Sequence, residues 1–234
     1  MSTNETRPTT TNRRTLLTAG GAVAALISVA GSANASDRYV VAALRKAAKH
    51  KPERSVRASQ TAAVLRDLWV GHIFWVRAVS MATINKDDQA STAAEQQAVT
   101  NAQSIAATIE PFYGAAAKDS FFKLLAGHYG AVKAYLVATV AGDASAQSAA
   151  THSLTSNADE IATFLSKANP HLPKDALQGM LLAHGGHHIQ QIQQLKDRKY
   201  EAEAKTWNEM KTHVYGIADA TADALAKQFS AKFS

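Results

Sequence analysis

Leu68-Trp69-Val70-Gly71-His72, Leu124-Leu125-Ala126-Gly127-His128 and Met180-Leu181-Leu182-Ala183-His184 are one pattern met three times, at a step of 56 residues. A second block keeps the same step: Asn101-Ala102-Gln103-Ser104-Ile105-Ala106, Asn157-Ala158-Asp159-Glu160-Ile161-Ala162 and His213-Val214-Tyr215-Gly216-Ile217-Ala218. Asp87 and Asp143, in turn-like stretches, are also 56 apart. Two independent blocks in one register point to an internal repeat rather than to a generic likeness among alanine-rich helices.

Each block reads as helix. Around His72 the apolar residues Leu65, Leu68, Trp69, Trp75, Val76 and Val79 fall on one helical face, and Leu124, Leu125, Ala131, Val132, Tyr135 and Leu136 do the same around His128. No β-branched run alternates strictly, so strands are not expected. Turn signals lie at 85–88, 111–114, 141–143, 169–173 and 197–199. They divide the chain into six predicted helices, about 57–84, 88–110, 116–140, 145–167, 174–196 and 200–228. Short connections make consecutive helices antiparallel neighbours. The expected fold is therefore all-α, a six-helix up-down bundle of three tandem helical hairpins, with repeats at about 58–113, 114–169 and 170–228.

The turns also place the recurring polar residues. His72 and Asn101 stand at equal distances from the first turn, Asn101 and His128 from the second, and so on through Asn157, His184 and His213. In an up-down bundle these six residues share one layer, on or beside the apolar stripes. A buried polar group without a partner costs about 1–3 kcal/mol, so the layer has a purpose. One reading is structural: imidazole and amide each offer a donor and an acceptor and fix helix register. The other is a binding site. His184-Gly185-Gly186-His187-His188 supports the second, because His184 and His188 at i and i+4 project from one face one turn apart, as two imidazole ligands of one metal would. Val76 and Val132 hold the place of His188 in the other repeats. The candidate ligands are His72, His128, His184, His188 and His213, with Asn101 and Asn157 in the polar layer and Glu209 and Glu160 as candidate carboxylate ligands. Zn, Cu or Ni are the implied ions. Gly185-Gly186 inside a helix costs about 1 kcal/mol per residue against Ala, which a close neighbour or a local kink would explain. Trp69, Trp75 and Trp207 read as core anchors. No nucleophile–base pair is legible, and no catalytic residue is assigned.

Outside the repeats, the first 35 residues read as a targeting segment. Asn12-Arg13-Arg14-Thr15-Leu16-Leu17 resembles a twin-arginine signal, a weakly apolar stretch runs from Leu16 to Ala30, and Ala33-Asn34-Ala35 supplies a small-x-small cleavage pattern. The stretch is too short for a stable transmembrane helix. The expectation is a periplasmic or secreted protein with the twin-arginine translocase as its partner during export. That route, as the resemblance implies, carries folded proteins, some with a cofactor already bound.

The 234 residues suit one core, and the absence of cysteine excludes disulfides, thiolate metal sites and thiol nucleophiles. The net charge of +6 is uneven. Ten of the 25 basic and three of the 19 acidic residues lie in 1–57, which leaves 15 and 16 for 58–234. The repeat domain is thus near neutral, which argues against nucleic acid. Residues 36–57 form a basic leader, a solvated helix or a contact to an anionic envelope surface.

Leu68-Trp69-x-x-His72-x-x-Trp75-x-Arg77, with Asn157-Ala158-Asp159-Glu160-Ile161 and Asn169-Pro170, resembles an uncharacterised family of secreted bacterial helical-bundle proteins, over nearly the whole chain after the signal. Some members of that family carry a glycosyltransferase label, but this chain has no α/β pattern and no Gly-rich nucleotide loop. His184-x-x-x-His188-x-x-Gln191-Ile192, with His72 between Trp69 and Trp75, is similar to the DinB-like superfamily of metal-binding helical bundles. That resemblance implies His72, His184 and His188 as ligands of a divalent metal, although a threefold hairpin repeat is not the DinB-like arrangement. Three functions stand open: a metal- or small-ligand-binding bundle, a non-catalytic structural or interaction module of the envelope, and a DinB-like metal-dependent enzyme.

Overall fold

The computed structural model describes residues 54–234. The expected signal segment and the expected basic leader up to residue 53 lie outside the described residues. Among these, every regular element is helical: α1 Val56–Ile84, α2 Asp88–Ala107, α3 Glu110–Tyr113, α4 Ala115–Ala141, α5 Ala144–Ala168, α6 Lys174–Lys196, α7 Tyr200–Gln228 and α8 Ser230–Phe233.

The six long helices follow the sequence reading closely, but two short ones are added to the expected six. The span 88–110 is not one helix. Pro111 has no N–H, and its ring collides with the carbonyl four residues back, so the chain breaks after Ala107 and restarts as α3 with proline in its first turn. Helix also resumes after 228. Phe233 is buried against Ala58 and Leu225, and its ring stacks on Phe112. That contact draws the last residues into α8.

Three links share one geometry. Lys86, Gly142 and Arg198, each 56 apart, adopt positive φ of 59°, 71° and 58°. In each link the amide of the next residue donates back to a carbonyl five residues earlier: Asp87 to Ala82, Asp143 to Ala138, Lys199 to Gln194. This is the left-handed helix stop with its six-to-one hydrogen bond. The following helix is then capped by Asp87 on the Ala90 amide and by Asp143 on the Ala146 amide, both at 2.9 Å. Lys199 takes the corresponding place before α7 and offers no side-chain cap.

The helices form a bundle. Around it α1 packs on α2 and α7, α2 on α4, α4 on α5, α5 on α6, and α6 on α7. In addition α1, α4 and α6 touch one another pairwise, so these three lie innermost. Their flanking partners bring small residues to the contact, such as Ala94, Ala98, Ala102 and Ala106 on α2, which lets the helices approach. By length and composition α4 could cross a bilayer; half of its most apolar window is buried within the bundle.

Candidate metal centre

The three inner helices carry the polar cluster. His72 comes from α1, His128 from α4, and His184 and His188 from α6, and all four are buried. One ring nitrogen from each lies within 4.8 Å of those of the other three. The ring centroids are mutually close, between 4.5 Å for His184–His188 and 6.0 Å for His72–His128 and His128–His188. The Nε2 atoms of His184 and His188 are 3.2 Å apart. Two imidazoles on one tetrahedral ion with metal–nitrogen bonds of 2.0–2.1 Å would stand about 3.3 Å apart, so this edge is already at ligand spacing. Trp69 meets His72 and His184 edge-on and closes one side.

The cluster is short of hydrogen bonds. Among the described residues, His72 Nε2, His128 Nε2, His184 Nδ1 and His188 Nδ1 are buried without a partner. Burial holds all four imidazoles below their ordinary range. His72 is lowered to about 3, by desolvation and then by the nearby His128. His128 is lowered to about 4 by desolvation, with the Asn157 amide working the other way. His184 and His188 are pushed well down by desolvation and by the neighbouring imidazoles. The neutral ring is the form that ligates a metal.

Asn101 and Asn157 do not join this group. Asn101 Nδ2 donates to the Leu68 carbonyl, and Asn157 Nδ2 to the Leu124 carbonyl, each at 3.0 Å. His213 makes the same contact, with Nε2 2.8 Å from the Met180 carbonyl. A carbonyl only accepts, so His213 Nε2 donates there and offers no lone pair to the group. Its ring lies 6.4 Å from that of His184 and 5.3 Å from that of His187. A β-carbon at Gly71 would stand 2.9 Å from Asn101 Nδ2, and one at Gly127 3.2 Å from Asn157 Nδ2. Glycine before His72 and His128 therefore makes room for the asparagine amides, whereas Ala183 stands before His184 where the partner is His213. The candidate carboxylates Glu209 and Glu160 are both exposed, and neither belongs to the four-imidazole group. Nothing crowds the Gly185-Gly186 pair: a β-carbon at Gly186 would meet nothing within 4 Å.

One polar group beside the site is absent from the sequence reading. Glu203 is 2% exposed and takes two hydrogen bonds from Arg77, at 2.6 and 2.8 Å. It also accepts from Gln191 Nε2 at 2.8 Å, and Gln191 is one turn beyond His188. The Arg77 guanidinium holds the Glu203 carboxyl below its usual range. A signal existed: Arg77 and Lys133 both stand five residues after the repeat histidine, and Lys133 in turn pairs with Glu95 at 2.6 Å.

Beyond the histidines, a cavity of about 30 Å³ runs along the bundle on the side away from His188. His72, His128 and His184 line it, with Leu65, Phe121 and Leu177 among its apolar walls. No family model, curated protein or solved structure matches the chain.

Proposed function

We propose that this protein is an exported metal-binding bundle, which holds one first-row transition-metal ion on His72, His128, His184 and His188. The observation that carries the reading is the four buried, neutral imidazoles whose ligand atoms lie within 4.8 Å of one another. His72 Nε2 and His128 Nε2 lie unpaired in the core at a cost of about 1–3 kcal/mol each, and an ion at the centre would engage them together with the Nε2 pair of His184 and His188. An all-imidazole set suits zinc, copper or nickel, and disfavours calcium or magnesium, which take oxygen ligands. Export rests on the twin-arginine-like residues Arg13 and Arg14.

The tandem-hairpin reading belongs to the same proposal. It is supported by the three left-handed turns at 86, 142 and 198 and by the three side-chain bonds to carbonyls at 68, 124 and 180. Those bonds favour a register role for Asn101, Asn157 and His213, which leaves the inner four histidines for the ion.

The test is metal content and thermal stability of the purified full chain with and without Zn²⁺, Cu²⁺ and Ni²⁺, beside His184→Ala/His188→Ala. One equivalent of metal, a raised melting temperature, and loss of both in the double variant are expected. A protein that takes up no metal and melts alike in all conditions sinks the reading.

A further inference from the structure

The four imidazoles are not disposed evenly about their centre. His72, His128 and His184 come from equivalent positions of α1, α4 and α6, and so form a ring of three around the bundle axis. His188 lies one turn further along α6 and covers that ring from one side, where the other inner helices present Val76 and Val132. The opposite side has no fourth histidine. It opens into the cavity of about 30 Å³, whose wall includes His72, His128 and His184 but not His188.

That wall is built from the same threefold positions. Leu65, Phe121 and Leu177 stand seven residues before the three ring histidines, about 10 Å down the axis. Apart from the histidines, the lining residues with a polar side-chain atom are Trp69, Thr108, Tyr129 and Thr221. A cavity of this size exceeds the roughly 10–15 Å³ that one water needs, yet an apolar lining leaves water with few partners. The space suits a molecule of two or three atoms with little polarity. Leu65 and Thr108 line both this cavity and an open groove of about 480 Å³ at the end of the bundle, beside Phe112 and Phe233.

Resting on the metal reading above, we infer that the cavity is the seat of a small apolar ligand of the diatomic class, which reaches the metal at the position opposite His188. Three imidazoles leave one position of a tetrahedral ion open, so on the ring of His72, His128 and His184 a ligand from the cavity side would take that position in place of His188. The neutral ligand set adds no negative charge, and among the described residues no carboxylate belongs to the group. An ion of low charge is then the least costly in so apolar a site, which makes Cu⁺ the probe of choice.

The experiment uses the full chain loaded with copper, reduced anaerobically and exposed to carbon monoxide. Infrared spectroscopy reads the copper-bound carbonyl band. One carbonyl per copper is expected. Ala102→Leu and Ile217→Phe place extra carbons on the cavity wall without touching a histidine, and both should retain copper and lose the band. Xenon-129 NMR of the metal-free chain should show one saturable site, absent in the same variants. Copper bound one-to-one with no carbonyl band overturns this inference and leaves the metal reading intact. A band of equal strength in the filled variants also overturns it, because the ligand then sits elsewhere. A chain that holds no copper overturns this inference, and one that takes up no zinc or nickel either overturns both.

Discussion

Burial keeps the four imidazoles neutral in the fold, while in the unfolded chain each takes a proton near its ordinary value of about 6.5. Above that value neither state is protonated, and the histidines contribute nothing to pH dependence. As pH falls below it, the unfolded chain binds protons that the folded chain refuses, until His128 and His72 titrate near 4 and 3. The metal-free protein should therefore lose stability steadily as pH drops from 6.5, before the carboxylates titrate. Urea unfolding at pH 7.5 and pH 5 checks this, and an unchanged midpoint would contradict neutral burial. Much of this site is legible in the sequence, because the step of 56 residues joins His72, His128 and His184, and the i, i+4 spacing adds His188. His213 stands in register with Asn101 and Asn157, yet it read as a candidate ligand; its Nε2 lies on the Met180 carbonyl instead, outside the four-imidazole group. The cavity was not legible. It depends on how side chains from six helices fail to fill a common space, which no local pattern records.

At the scale of elements, the turns are the best specified part of the chain. Gly142 adopts its left-handed φ at no steric cost, but Lys86 and Arg198 hold the same conformation with a β-carbon, which costs about 1 kcal/mol. Arg198→Gly should recover roughly 0.5–1 kcal/mol of stability, measured by chemical denaturation. Lys199→Asp should add about 1 kcal/mol by supplying the cap that Asp87 and Asp143 give their own helices. A loss of stability in either variant would mean that the third turn is not equivalent to the others. The helix boundaries could be read because glycine, proline and aspartate mark them locally. The break before Pro111 was readable as a turn but not as a separate helix. The last helix was not readable at all, since Ser230–Phe233 is decided by a distant partner, the ring of Phe112.

Across the whole molecule, ionic contacts tie the first long helix to the last. Arg77 of α1 grips Glu203 of α7, and Arg54 and Arg66 both reach Asp219. These pairs, 126 to 165 residues apart, close the ring of helices and were invisible to spacing arguments. Glu203 is the buried member, so Glu203→Ala should cost about 2–3 kcal/mol, whereas exposed Lys205→Ala should cost almost nothing. Equal unfolding midpoints for these two variants would deny the closure a role in stability. The placement of the imidazoles on α1, α4 and α6 has one more consequence. No fragment that stops before α6 possesses the full set of four, and no single helix holds more than the His184–His188 pair. Capture of an ion on all four would then come late, after segments 116 residues apart have met. An ion held at the axis would act as a receipt for assembly: its presence would report that α6 has docked on α1 and α4.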